Sequence, residues 1–425
     1  MMANNPYVSV ASVIMGMGLI QGGFGLVNVL APALLTNAGY GSDMIGWHAA
    51  VASTGFFLGT LIAPRIIRRI GHIRAFAVFA AINAIMALSM TIALDLWFWA
   101  ITRSVMGFAL SGTFTVAESW IGSKTTREMR GRVLAAYIVV YKSAMALAPL
   151  AITLLPNAQT PYDIARYFMV VSVCFSCALL PVAFTKSSSP AISQDNKSNT
   201  SIRELYHIAP TSLAVALFSS LANSSIVNLI TVYTVQIGYT LAAGAICFSA
   251  IQFGNLLFQW PAGYISDRLD RRVVIIILAV CTLIISLINA LLGSILPFWL
   301  LAGLLGVWGG CGMSIYAVSV AHASDKARPD QLVGVCSTIL MIFSVGLIIG
   351  PLMGGLAMDW FGPNAIFYYV TAMYASLLIF VIWRIKVKAA LPSALRKPFA
   401  NFVATSLKLI HLDPRRPSSD NHPQA

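Results

Sequence analysis

Two cations stand at positions where charge is costly. Arg103 and Lys142 each fall inside a long apolar run, and no carboxylate of the same half of the chain sits at either depth. A charge held in hydrocarbon costs about 2.5–3.5 kcal/mol on insertion scales, so each one needs a reason. Fixed positive charge in a low dielectric attracts a carboxylate, a phosphate or another electron-rich group. The rival reading of Arg103 is structural, a bond between helices to a residue such as Gln21 at comparable depth in the first run. For Lys142 the two readings balance, because a buried lysine exchanges its proton readily and can tie solute binding to proton release.

The second half offers amides instead of charges: Asn223, Asn228, Gln236, Gln252, Asn255, Gln259 and Asn289. Amides at this depth usually bond across helix contacts. We read Asn228, Gln252 and Asn255 as pocket donors, with Tyr141, Trp308 and Tyr316 as apolar walls. Glu118 carries two readings, a proton carrier or a gate ion pair with Lys124, Arg130, Arg132 and with Arg65 or Arg69 across the neighbouring loop; the gate is favoured. No His, Asp or Cys constellation converges for catalysis, so an enzyme is not expected. Cys174 and Cys177 have a redox or zinc spacing, but they sit in an apolar run with no His nearby and are read as structural. No cofactor or metal is expected, and the lack of a P-loop removes ATP as an energy source.

The elements that position these residues follow from composition. With 58% hydrophobic and 10% charged residues in 425, the chain cannot clothe a water-soluble globule, and its solvent must be lipid. Apolar runs long enough to cross about 30 Å of hydrocarbon predict twelve helices. They fall at about 8–35, 45–67, 75–94, 96–120, 132–155, 164–184, 210–236, 240–263, 273–293, 295–321, 332–357 and 363–385. The first has no basic region before it and is read as a retained helix, not a signal peptide. Lys and Arg crowd alternate loops while the opposite loops hold Arg166, which places both termini in the cytoplasm. Topology and anionic lipid account for the +13 balance without nucleic acid.

A polar stretch over 185–209 separates two sets of six, giving bundles over 1–184 and 210–385 and a basic tail over 386–425. Phe399, Phe402, Val403 and Leu407 recur in that tail at helical spacing, fitting either a helix on the inner leaflet or disorder. The loop Gly263 to Arg272 repeats the place of Pro64 to Gly71, 199 positions earlier. Ala148-Pro149-Leu150 likewise answers Gly350-Pro351-Leu352, as expected of a duplicated bundle.

On these residues the chain resembles the major facilitator superfamily over residues 8 to 385. Gly263, Asp267-Arg268 and Arg271-Arg272 are similar to that superfamily's loop signature, with Asp270 where it usually has Gly. Arg69 and Gly71 remain in the first-half copy, where Pro64 and Arg68 replace the Gly and the Asp. Arg103 followed by Gly107 and Gly112 resembles the second motif, and Glu118 with Arg130-Gly131-Arg132 resembles the sugar porters. Gly346 to Pro351 looks like an antiporter motif displaced to span eleven.

The resemblance implies an all-α membrane protein of twelve transmembrane helices in two pseudo-symmetric bundles, moving solute by alternating access. It also implies gating roles for Asp267, Arg268, Arg271, Glu118, Arg69 and Gly71. The expectation is a multi-pass inner-membrane secondary transporter of a small organic solute. An anionic substrate and protons as coupling ion fit the residues, with Arg103, Lys142, Gln21, Tyr141, Asn228, Gln252 and Asn255 at the site. Proton-driven multidrug efflux is the rival within transport, opposed by the two cations and by the absence of an acid in span one. A membrane sensor that moves nothing is the rival outside it.

Overall fold

Inside a bilayer each backbone polar group must be satisfied within the protein, so apolar runs of this length close their hydrogen bonds as helices. The computed structural model describes residues 6–154, 161–184, 201–328 and 331–387. The first half contains α1 (Pro6–Asn37), α2 (Ser42–Ile70), α3 (His72–Ser89), α4 (Leu96–Lys124), α5 (Arg127–Leu147), a 3-10 turn over Ala148–Leu154, α6 (Pro161–Cys177) and α7 (Leu179–Ala183). The second contains α8 (Ile202–Ile208), α9 (Pro210–Gln236), α10 (Leu241–Arg268), α11 (Arg271–Leu292), α12 (Phe298–Lys326), α13 (Leu332–Phe361) and α14 (Ala365–Val387). Eleven of these stretches are long and apolar enough to cross a membrane; α4, which carries Arg103, Glu118 and Lys124, completes the expected twelve. The tail helix proposed around Phe399 lies outside the described residues, as does the linker over 185–200.

Three boundaries differ from the sequence reading. Span three stops at Ser89, and the indole Nε1 of Trp99 donates to the carbonyls of Met90 (3.2 Å) and Ala93 (2.7 Å), fixing the turn into α4. Span six breaks at Ala178 into α6 and α7. The stretch before Pro210 was expected to be a polar linker with nothing to bury. It holds α8, whose Leu205 is fully buried and whose N-cap Ser201 accepts from the Glu204 N–H at 3.1 Å. That Ser-x-x-Glu spacing is a helix-start signal.

The duplication runs deeper than the loops suggested. Gly39-Tyr40 and Gly238-Tyr239 close α1 and α9 in the same way, with φ of 89° and 91° and the glycine N–H bonded to Thr36 and Val235 carbonyls at 3.0 Å in both. A left-handed residue ends a helix most cheaply as glycine. The same spacing of 199 links Gly55 to Gly254. A Cβ on Gly55 would strike the Ser104 carbonyl of α4, and one on Gly254 the Gly306 carbonyl of α12. Small residues therefore set the α2–α4 and α10–α12 contacts that stiffen each half. The Gly346, Gly350 and Gly354 face of α13 meets Ser220, Ser224 and Ser225 of α9. There Ser224 donates to the Gly346 carbonyl (3.0 Å) and Ser225 to that of Gly350 (2.6 Å), so the displaced glycine-proline element acts as a packing surface.

Candidate functional site

Between the halves, α5 faces α10 and α2 faces α13. Helical spacing puts Gln252, Asn255 and Gln259 on one face of α10. Against that face the Lys142 ammonium donates to Asn255 Oδ1 at 3.0 Å and to Gln259 Oε1 at 2.6 Å, while Lys142 itself is 7% exposed. A buried cation of the first half thus rests on two neutral acceptors of the second. Gln252 lies on the same face, buried, with its Oε1 unpartnered. Asn255 and Lys142 were expected at the site, whereas Gln259 had been read as a helix tie. It lies one turn beyond Asn255, a relation readable from the sequence once α5 is known to face α10.

Away from Lys142, the halves are sealed at one end. Gln236, closing α9, donates to Ser42 Oγ at the start of α2 at 2.8 Å. A Cβ on Gly355 of α13 would strike the Ser42 carbonyl, and one on Gly46 of α2 the Pro351 carbonyl. Backbones this close need glycine. All these contacts lie at the end opposite the Arg-rich loops.

Other expected site residues fall elsewhere. Arg103 bonds through Nη2 to Asn28 Oδ1 at 2.7 Å and not to Gln21. The two α1 residues share a face but differ by about 10 Å in height. Since α4 runs antiparallel to α1, Arg103 near the start of α4 meets Asn28 near the end of α1. Gln21 is buried with Oε1 unpartnered. Asn228 donates to its own helix at Ser224 (2.9 Å). Tyr141 turns into the first half, its ring against Phe114 (5.6 Å) and Tyr137 (5.0 Å), and so is not a wall between halves. Trp308 is fully buried and donates to Ser286 Oγ at 2.8 Å; Tyr316 packs on Phe343 at 4.5 Å. Asn223 donates to the Gly312 carbonyl (2.8 Å) and accepts from Tyr374 (2.9 Å), a tie among α9, α12 and α14.

The loop residues expected to gate show three different settings. Arg271 is 1% exposed and pairs with Asp325 of α12 through Nε at 2.6 Å, with Asp267 further off at 3.8 Å. Arg268 is exposed and lies over the Tyr264 ring at 4.1 Å. Gly71 takes φ of 83° at the α2–α3 corner, which accounts for its type. Arg65 and Arg69 are exposed, whereas Glu118 is fully buried near Tyr137 and Tyr141. Asp270 replaces the usual glycine because it caps α11, accepting from the Arg272 N–H at 2.9 Å. Asp270→Ala is expected to cost about 1 kcal/mol, visible as a lower melting temperature in detergent, while Asp270→Ser should recover most of it.

The model of the Major Facilitator Superfamily matches residues 13–339 and 213–416. The chain belongs to the major facilitator superfamily. It is therefore a multi-pass membrane transporter and not an enzyme. Among this superfamily's curated members it is 25% identical over 375 residues to the uncharacterized MFS-type transporter YcaD of Escherichia coli, covering 86% of this chain and 93% of that one. YcaD of Escherichia fergusonii is 23% identical over 371 residues, with the same coverage. Two solved superfamily structures share the fold. One is a bacterial homologue of the human lysosomal transporter Spinster, inward-facing and occupied (TM-score 0.70, 13% identity, 94% of this chain and 99% of that one). The other is the nucleoside transporter NupG (TM-score 0.69, 14% identity, 89% and 99%). The superfamily's two-bundle design is what brings Lys142 and the α10 amides together.

Proposed function

We propose that this protein is a secondary active transporter of a small organic anion in the bacterial cytoplasmic membrane, with both termini inside. The observation that carries the reading is Lys142, a buried first-half cation held by two second-half amide oxygens. An entering carboxylate brings a full negative charge to the ammonium, which attracts it more strongly in this low dielectric than the neutral amide oxygens do. Binding thus loosens the tie between the halves, and the freed amides donate to the rest of the solute. The seal at Ser42, Gln236 and Gly355 then corresponds to the shut outer end, with the basic loops at the open inner end. In the opposite state Asp267, Arg268, Arg271, Glu118, Arg69 and Gly71 shape the inner closure. Protons are the coupling ion in this scheme, exchanged at Lys142 or Glu118, two titratable groups buried in the first half.

A thermal-shift screen of anionic and cationic small molecules tests the substrate class. Anions should stabilise the wild type and fail on Lys142→Ala; stabilisation of both forms by cations alone contradicts it. The shut end has its own test. Gly355→Val forces a side chain against the Ser42 carbonyl, an overpacking cost of about 1–3 kcal/mol. Labelling of cysteines near Gly41 and Gly238 should rise, and unchanged labelling contradicts the assignment.

A further inference from the structure

The outer side of α10 ends in a stack of three side chains. Gly254 and Phe258 turn toward α12, where a Cβ on Gly254 would strike the Gly306 carbonyl and one on Gly310 the Phe258 ring. Asn255 and Gln259 turn toward Lys142 of α5. Helical spacing leaves Leu257, Trp260, Tyr264 and Arg268 on the remaining face, and all four are exposed, Trp260 at 76%. On it the Trp260 and Tyr264 rings stack at 5.7 Å with 22° between their planes, and the Arg268 guanidinium carbon lies 4.1 Å from the Tyr264 ring centre. The arginines of this loop are not alike. Arg271 pairs with Asp325 and Arg272 with Asp270, whereas Arg268 forms no ion pair among the described residues.

A guanidinium resting on an aromatic ring keeps its forked N–H edges for another partner, and either fork matches a phosphate with two parallel bonds. Along the helix Tyr264 lies about 6 Å and Trp260 about 12 Å from Arg268 toward the bilayer centre. The polar layer on each side of the hydrocarbon is about 5–7 Å deep. With Arg268 among the headgroups, Tyr264 therefore stands at the hydrocarbon boundary and Trp260 beside the first methylenes. We propose that Arg268, Tyr264 and Trp260 form a binding site for an anionic phospholipid, whose phosphate takes the Arg268 fork while its glycerol and upper acyl chain lie along the two rings. Net charge sets the preference. A zwitterionic lipid has the same phosphate but brings a cationic choline or ethanolamine beside Arg268. The site is separate from Lys142 and does not depend on the solute read there.

Photo-crosslinking of the purified full chain tests this, using phosphatidylglycerol with a diazirine high in one acyl chain and mapping the adducts by peptide mass spectrometry. Adducts should fall on Leu257, Trp260 or Tyr264. Unlabelled phosphatidylglycerol should displace them about fivefold more effectively than phosphatidylcholine, the preference one arginine confers near a membrane surface. Arg268→Gln should erase that difference. Tyr264→Leu, which keeps the charge and the apolar bulk but removes the ring beneath the guanidinium, should reduce it. Equal displacement by the two lipids in wild type overturns the proposal, because the face then holds ordinary solvating lipid. A preference unchanged in Arg268→Gln overturns it too. So does the absence of adducts from this stretch, which leaves the face to a second protein.

Discussion

Lys142→Met is expected to abolish recognition of anionic solutes while leaving the fold intact. Methionine keeps the length and apolar stem of lysine but has no charge, so the side chain still fills the space between α5 and α10. Asn255 and Gln259 lose a donor at 3.0 and 2.6 Å and can bond to water or to each other's amides. Removing one partner of a buried charged contact costs about 2–5 kcal/mol in affinity. At the low end that is a loss of about 30-fold in dissociation constant, readable by titration calorimetry. Asn255→Ala and Gln259→Ala should each lose less, since a solute carboxylate still finds the ammonium. If Lys142→Met bound the same anions with unchanged affinity, Lys142 would be a helix tie and the substrate class would lie open again.

The second large effect concerns stability. Arg271→Ala removes the guanidinium from Asp325, whose side chain is 4% exposed, and leaves that carboxylate buried without it. Breaking one side of a buried pair costs about 3–5 kcal/mol. Lower melting temperature of the second half, by about 10 °C, is the expected reading. The double substitution Arg271→Met with Asp325→Leu should restore much of it, because two apolar side chains carry no desolvation penalty. A double variant as unstable as the single one would show that the pair holds α11 to α12 by more than charge balance.

The twelve spans were legible because a bilayer leaves an apolar run few alternatives, and local chemistry fixes ends at Pro210, which opens α9, at Asp95, which accepts from the Phe98 N–H to cap α4, and at Gly39. Helix α8 was missed because its Ser201 and Glu204 start signal sits in a polar stretch and Leu205 alone supplies burial. Pseudo-symmetry was visible in the charged loops, but its best markers, Gly39 with Gly238 and Gly55 with Gly254, are single glycines whose meaning depends on the neighbouring backbone. Of the site, Lys142 and Asn255 could be named from type and depth. The Arg103 partner could not, since pairing it with Asn28 instead of Gln21 needs the antiparallel heights of α1 and α4. Aromatics were the least legible: Tyr141 and Trp308 look the same in sequence whether they line a cleft or, as here, fill a bundle.

The proposed pivoting of two halves about the Lys142 contact makes one mechanical demand, that the two ends open and close in opposition. Electron–electron distance measurements in reconstituted vesicles address it with one spin-label pair at the sealed end, on Ala38 and Ser294, and another at the basic end, on Arg69 and Arg268. Protons and an anionic ligand, added in turn, should lengthen one distance distribution while shortening the other. Distances that stay fixed under every condition, or that change together, would contradict alternating access about this contact.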